Sequence, residues 1–196
     1  MKTLHLRRSA GSYMGIGDAG MKLASLEGGR AAHHKLNYGR VFCSLIRNSA
    51  ETAIGFLSGY SKPLLFCPVI PKLGDRARMD EIDNPGYQEA RADGQHPFDA
   101  LFFSQSSQVL DGWLSDAARG IYQIFLQTEP GETVLAFGHS PLIQLAVSWL
   151  QVELGQANEL TDELKDLAEL EGVVLVQDDD GKIFVGSKIA AETVST

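Results

Sequence analysis

The sequence has few cysteines and no long run of apolar residues. Its two cysteines, Cys43 and Cys67, each lie in a short apolar stretch, so we expect two buried thiols and not the cysteine framework of a small secreted protein. No segment approaches the roughly 18 consecutive apolar residues of a membrane-spanning helix. The first residues also lack the apolar core of a signal peptide. These absences predict a cytoplasmic protein without a membrane partner.

Basic residues are also scarce, because 17 lysines and arginines face 25 aspartates and glutamates, a formal charge of -8. A protein with this balance is not expected to bind nucleic acid through its whole surface. The charge is unevenly distributed: residues 1–60 carry 8 basic and 3 acidic side chains, whereas residues 129–196 carry 3 and 13. The basic N-terminal third is therefore where we expect a small anion to be drawn into a local pocket.

The length of 196 residues, 44% of them hydrophobic, predicts a single domain over 1–196 with a sizeable core. Strand-like apolar runs alternate with amphipathic stretches, and this order predicts an α/β fold: a three-layer α/β/α sandwich with a mainly parallel sheet. The predicted strands are 3–6, 41–43, 63–70, 133–137 and a terminal hairpin of 173–176 with 183–185. The predicted helices are 45–57 with Ser44 as N-cap, 109–126, 141–154 beginning at a proline, and 158–170.

Two stretches show no clear pattern. Residues 10–29 hold six glycines and are predicted to be irregular, with a turn or two of helix only over 29–36. Residues 71–100 form a long polar excursion, and such loops in compact domains are often functional.

Polar side chains that suit an anion follow three of the predicted strands. Arg7 and Arg8 end the first strand, Arg47 lies one turn into the helix after the second, and His139 precedes a helix after the strand 133–137. Ligands of an open α/β sheet bind at the carboxyl ends of its strands. One guanidinium group can donate to two oxygens of the same phosphate, and a helix N-terminus adds backbone N–H donors. The pattern predicts an anion site formed by these side chains.

The same segments resemble motifs of the histidine phosphatase superfamily, which includes phosphoglycerate mutase-like and SixA-like proteins. Residues 6–9, Leu-Arg-Arg-Ser, resemble the family's L-x-R-H-G opening. Residues 41–53 resemble its V-x-S-P-L-x-R-A-x-Q-T-A stretch, and residues 136–143, which include Gly-His-Ser-Pro, resemble its second histidine motif. The resemblance spans most of the chain and implies a phosphoglycerate mutase-like fold.

The resemblance also implies roles for individual residues. Arg7 matches the family's first arginine, Arg47 its second arginine and His139 its second histidine, all of which bind the phosphoryl group. Glu81 resembles the acid that protonates the leaving oxygen in the mutase-like branch, with Asp83 and Glu89 as alternatives. No metal or other cofactor is implied, and the expected partner is a small phosphorylated ligand or a phosphoprotein.

The sequence departs from the family at the nucleophile, because Arg8 stands where the family has its phosphorylated histidine and Ser9 where it has glycine. An arginine stays protonated and cannot attack phosphorus. His5 lies three residues upstream, roughly 10 Å back along the strand, and is too far away to replace it. We therefore expect a degenerate member that binds a phosphoryl group or another small anion among Arg7, Arg8, Arg47 and His139. The alternative is an active phosphatase in which water attacks and His139 or an acid such as Glu81 moves the proton.

Other readings of the motifs are weaker. Gly138-His139-Ser140 invites an acyl-hydrolase interpretation, but a catalytic triad in that fold needs a histidine after the serine and none follows His139. The adjacent His33 and His34 cannot form an i,i+4 pair of metal ligands. Residues 178–181, Asp-Asp-Asp-Gly, are expected to be a hairpin turn and not a calcium loop. The leucines at 160, 164, 167 and 170 are expected to face the core.

Overall fold

The centre of the fold is a five-stranded mixed sheet with strand order β2-β3-β1-β4-β5. The structure is a computed structural model, which describes residues 1–12, 14–61, 68–74, 76–155, 164 and 166–191. The strands are β1 (Lys2–Arg8), β2 (Tyr38–Cys43), β3 (Thr133–Gly138), β4 (Gly172–Gln177) and β5 (Ile183–Ile189).

β3 pairs in parallel with both β1 and β2, whereas β4 pairs antiparallel with β1 and β5 antiparallel with β4. Four of the five strands therefore run in the same direction, as predicted. The register places Arg8 opposite Gly138, and Cys43 opposite Phe137. The residues that follow β1, β2 and β3 consequently meet at one edge of the sheet.

One face of the sheet is covered by α1 (Gly17–His33) and α2 (Arg47–Tyr60). The two helices approach closely through glycines, since a Cβ on Gly28 would lie 1.9 Å from the Phe56 carbonyl oxygen and one on Gly59 would lie 1.7 Å from that of Ser25. Buried side chains of α2 then pack against the strands, with Phe56 and Phe137 rings 5.6 Å apart.

The opposite face is covered by α6 (Ser107–Gln127) and α7 (Leu142–Glu153). The apolar stripe of α6 packs with the strand residues Leu4, Leu6 and Ala136 and with α7 in the largest core cluster. The sheet between two helical layers is the predicted three-layer α/β/α arrangement, and α6, α7 and the terminal hairpin match their predicted positions.

Three short helices follow a 3-10 turn at Pro71–Leu73: α3 (Arg76–Ile82), α4 (Pro85–Ala92) and α5 (Pro97–Ser104). Ile82, Phe98 and Leu101 pack with Trp113 of α6 and Leu142 of α7 in a separate core cluster. These helices lie beside the start of α7 and so border the carboxyl edge of the sheet.

The prediction that residues 71–100 lack regular structure is wrong. α4 and α5 each begin with a proline preceded by a capping side chain: Asn84 accepts from the Tyr87 N–H and His96 from the Phe98 N–H. A capping residue followed by proline starts a helix regardless of how polar the rest of the segment is.

The prediction that residues 10–29 are irregular is also wrong, because α1 spans most of them. Glycine is a poor helix former, but Gly28 allows the close contact with α2 described above. Tertiary packing here outweighs intrinsic propensity.

Helix ends differ from the predictions in smaller ways. Ile46, and not Ser44, is the N-cap of α2, although the Ser44 hydroxyl accepts from the Ile46 N–H at 3.4 Å. Pro141 precedes α7 as its N-cap and is not its first helical residue. The predicted strand 63–70 and helix 158–170 fall mostly outside the described residues. Of the second, the described residues are Leu164, which is helical, and 166–170, which are not, and Leu170 has a φ of 64°.

Burial follows the sequence pattern where it is described. Cys43 is buried, as are Leu164, Leu167 and Leu170. Cys67 and Leu160 lie outside the described residues. Within the described part of the chain, we find no helix that combines the length and the apolar character needed to cross a membrane.

Candidate functional site

A cleft of about 650 Å³ lies at the carboxyl edge of β1 and β3. Its floor is formed by Arg8 at the end of β1 and by His139 directly after β3. α4 and α5 border it through Tyr87, His96 and Phe98, and the N-terminal turn of α7 borders it through Gln144. The segment 166–169 completes the wall.

Arg8 extends from the last position of β1 into this cleft and donates a hydrogen bond from Nη1 to the Leu167 carbonyl. Burial lowers the pKa of Arg8, and the nearby carboxylates of Glu169 and Glu171 oppose that effect. A guanidinium keeps its charge under such a shift, so Arg8 supplies a permanent cation with donors beyond the one that Leu167 takes.

His139 is held by Asn48, a residue of α2 that is completely buried. The Asn48 Nδ2 lies 3.1 Å from the Ala10 carbonyl oxygen and 3.2 Å from His139 Nδ1, which it contacts as a donor. The His139 Nδ1 therefore accepts, and the proton of the neutral ring is on Nε2. Burial, helped by the charge of Arg8, lowers the pKa of His139 to about 4. At neutral pH this ring is a neutral donor and not a second cation.

Two carboxylates share the cleft with Arg8. Glu169 accepts the Gly11 N–H at 2.9 Å, which ties the wall of the cleft to the loop after β1. Asp166 lies 3.0 Å from Nε2 of His96. Among the described residues of the lining, the charged groups are thus one arginine and two acids.

Arg7, although adjacent to Arg8, points to the other face of the sheet. Its side chain is buried, with Nη1 donating to Glu27 Oε2 at 3.2 Å and to the Leu170 carbonyl oxygen at 2.9 Å. Successive strand residues alternate between faces, so the two arginines of the motif separate. The structure does not bring Arg7 to the cleft.

Arg47 lies in a neighbouring hollow of about 470 Å³ with residues 14–18. Its Nε donates to Glu51 Oε1 at 2.6 Å, and its side chain is 72% exposed. The loop after β1 separates the two depressions, because Gly11 and Ser12 line the cleft whereas Gly15 and Ile16 line the hollow.

Glu81 is an exposed residue of α3 whose Oε2 accepts from the Trp113 indole N–H at 3.1 Å. It is not among the residues that line the cleft. The alternatives Asp83 and Glu89 are exposed and are likewise not among those residues. The structure therefore brings Arg8 and His139 together and leaves Arg7, Arg47 and Glu81 elsewhere.

Sequence reasoning missed Asn48, Glu169 and Gln144. A signal for Asn48 exists, since it follows Arg47 where the family motif has alanine, and a polar residue at a small apolar position needs a partner. No local sequence signal marks Glu169, because its position in the cleft depends on the path that the segment before β4 takes past the end of β1. Among the described residues, no group of three or more histidine, cysteine, aspartate or glutamate side chains is arranged to hold a metal ion.

No protein-family model matches this sequence, and no curated protein sequence matches it significantly. Solved structures do match. A phosphoserine phosphatase mutant from Entamoeba histolytica in complex with phosphoserine superposes with a TM-score of 0.64 at 14% identity, covering 98% of each chain. The ecdysone phosphate phosphatase of Bombix mori in complex with tungstate gives 0.66 at 14% identity, covering 100% of this chain and 96% of its own.

A phosphoglycerate mutase from Bacillus anthracis gives a TM-score of 0.62 at 16% identity, covering 94% of this chain and 91% of its own. At such identities the likeness establishes the fold alone. These structural neighbours are histidine phosphatase superfamily members, and this chain has their phosphoglycerate mutase-like α/β fold.

Proposed function

We propose that the cleft binds the phosphoryl group of a small phosphorylated ligand or a phosphoprotein, without a phosphohistidine step at position 8. The observation that carries the proposal is the convergence of Arg8 and His139 on one cleft at the edge of the sheet. The phosphoryl oxygens would accept from the Arg8 guanidinium and from the Nε2–H of His139, beside the N-terminal turn of α7.

The absence of a nucleophile at position 8 supports a binding role. Arg8 has no lone pair to offer phosphorus, and the His139 Nδ1 is occupied by Asn48. The fold supports a phosphoryl ligand, since one structural neighbour was solved with phosphoserine and another with tungstate.

Calorimetric titration with inorganic phosphate and a phosphate monoester tests the binding. Replacing a charged hydrogen-bond donor costs about 1.5–3 kcal/mol, so we expect Arg8→Ala to weaken binding by roughly 10- to 100-fold. Arg8→Lys keeps the charge but loses the planar fork, and we expect an intermediate affinity.

Arg47→Ala is the matched control, because its guanidinium lies in the neighbouring hollow. If Arg47→Ala weakens phosphate binding as much as Arg8→Ala does, the binding site is the wider arginine cluster that the family motifs imply. If neither variant changes the affinity, the proposed site is wrong.

Hydrolysis is tested separately with a panel of phosphate esters. We expect wild-type turnover near background and some recovered turnover in Arg8→His, which restores an imidazole at the motif position. Robust wild-type turnover that is lost in His139→Ala would contradict the binding role and support the alternative of an active phosphatase.

A further inference from the structure

The charges of the cleft do not match a simple phosphate ion. Arg8 shares the lining with the two carboxylates Asp166 and Glu169, and burial keeps the His139 ring neutral at neutral pH by lowering its pKa to about 4. A bare phosphoryl dianion would benefit from Arg8 but would be repelled by both acids. The lining therefore suits a ligand with charges of both signs.

Among the described residues, the ion-pair partner of Asp166 is a histidine and not a lysine or arginine. The His96 Nδ1 accepts from the Phe98 N–H at 3.3 Å, and its Nε2 lies 3.0 Å from the Asp166 carboxylate. Asp166 is also exposed to solvent on its other side, with 79% of its side chain accessible.

Glu169 has a similar surplus of acceptor capacity. One of its oxygens accepts the Gly11 N–H, and a carboxylate has about four acceptor sites. Within the described part of the chain, no lysine or arginine lies within 4.0 Å of either acid as an ion-pair partner, although the charge of Arg8 acts on Glu169 from further away.

Gln144 provides independent evidence for a donor on the ligand. Its side chain is only 2% exposed and lines the cleft, and its Nε2 donates to the Ser140 hydroxyl at 2.8 Å. Its Oε1 is buried and has no hydrogen-bond partner among the residues that the structure describes. Buried acceptors are rarely left unpaired, so this oxygen marks a place where an N–H or O–H group of a ligand would be accommodated.

We propose that the ligand is a phosphorylated amine, in which an ammonium group accompanies the phosphoryl group. The phosphoryl group would lie at Arg8 and His139, and the ammonium group at the acidic wall formed by Asp166 and Glu169. This inference rests on the proposed function, since it assigns the rest of the molecule whose phosphoryl group the cleft binds. A cleft of about 650 Å³ is of the size that takes a small molecule.

Competition among three probes of similar size tests the proposal. Phosphoethanolamine carries the ammonium group, 2-hydroxyethyl phosphate replaces it by a neutral hydroxyl, and phosphoglycolate replaces it by a carboxylate. An ion pair between the ligand ammonium group and a partly exposed carboxylate contributes up to about 1 kcal/mol. We therefore expect phosphoethanolamine to bind with about fivefold higher affinity than 2-hydroxyethyl phosphate. Phosphoglycolate is expected to bind most weakly.

Asp166→Asn and Glu169→Gln keep the hydrogen-bond acceptors but remove the charges, and we expect each to reduce the preference. Asp111→Asn is the matched control, because it removes one negative charge from an exposed position of α6 away from the cleft. A preference that persists in both cleft variants, or that also falls in Asp111→Asn, would overturn the assignment of the acidic wall.

The two proposals fail in different ways. If all three probes and inorganic phosphate bind equally well, the cleft binds phosphoryl groups and the amine inference alone is wrong. If none of them binds, the proposed function is wrong and the amine inference falls with it.

Discussion

Arg7 provides the sharpest test of the structure, because the family motif and the geometry assign it different roles. The motif implies that Arg7 binds the phosphoryl group. In the structure its side chain is 6% exposed and pairs with Glu27, which is 4% exposed. Glu27, a residue of α1, links that helix to Arg7 of β1 and also forms an ion pair at 2.6 Å with Arg30 of its own helix. Arg7→Met removes the charge from this network while keeping most of the side-chain volume.

The expected loss of stability follows from what remains after the substitution. Removing one partner of a buried ion pair typically costs 3–5 kcal/mol. Here Glu27 would keep Arg30, whose side chain is 32% exposed, so its charge would not be left wholly unpaired. The Leu170 carbonyl would lose its donor. The substitution would also remove the Arg7 Nε, which is buried and has no hydrogen-bond partner among the described residues. We therefore expect Arg7→Met to lower the free energy of unfolding by about 2–3 kcal/mol.

Urea denaturation measures this loss, and phosphate titration at low temperature measures binding by the same variant. A loss of this size corresponds to a fall in Tm of roughly 4–12 °C for a chain of this length. Glu27→Gln should destabilise the protein as well, and the double variant should lose less than the sum, because both changes break the same pair. If Arg7→Met stays within about 0.5 kcal/mol of wild type and loses phosphate binding, then Arg7 belongs to the anion site and the buried pair is not its role.

Two further predictions concern the helix contact and the histidine. Gly59→Ala is expected to destabilise the protein by about 1–3 kcal/mol or more, since the new Cβ would lie 1.7 Å from the Ser25 carbonyl oxygen. Gly112→Ala in α6 is the control, because a Cβ there meets nothing within 4 Å, and we expect it to stabilise the protein by up to about 1 kcal/mol. Urea denaturation measures both variants. Equal effects of Gly59→Ala and Gly112→Ala would contradict the close packing of α1 against α2. The pKa of His139 is lowered from 6.5 to about 4. As the pH falls, the unfolded chain therefore binds a proton at this histidine before the folded protein does. The free energy of unfolding is expected to decrease from about pH 6.5 down to about pH 4. Proton NMR should show a His139 midpoint near 4, and His139→Asn should flatten part of the pH dependence of unfolding; a midpoint near 6.5 would refute the buried, neutral ring.

The regular parts of the fold follow from local patterns. The strand 133–137 and the helix 109–126 were predicted within a few residues, because their apolar spacing matches the period of each element. α1 was missed because its glycines lower helix propensity, and the reason for them, the contact with α2 at Gly28 and Gly59, lies in a distant part of the sequence. The short helices α4 and α5 were missed although a capping residue and proline precede each of them.

The candidate site was predicted less completely than the fold. The ends of β1 and β3 meet in the predicted way, so Arg8 and His139 share one cleft. Because adjacent residues of a strand alternate between faces, the positions of Arg7 and Arg8 in β1 already predict that they separate. The expectation that both bind one anion came from the family resemblance, which assigns Arg7 to the site without regard to this alternation. The acids of the wall come from a segment that precedes β4 and carried no motif.

The separation of Arg7 from Arg8 changes which charges an anion in the cleft would meet. A cluster of three arginines would attract anions through its net positive charge, and the acidic residues elsewhere in the chain would only repel them weakly from a distance. In the cleft, Arg8 instead faces Asp166 and Glu169, and the neutral His139 adds a donor without adding charge. Under the proposed function, selectivity would come from the placement of one cation and two acids and not from their net charge. Under the proposed function, Arg8 would supply the positive half of the site, and its negative half would lie on the segment before β4.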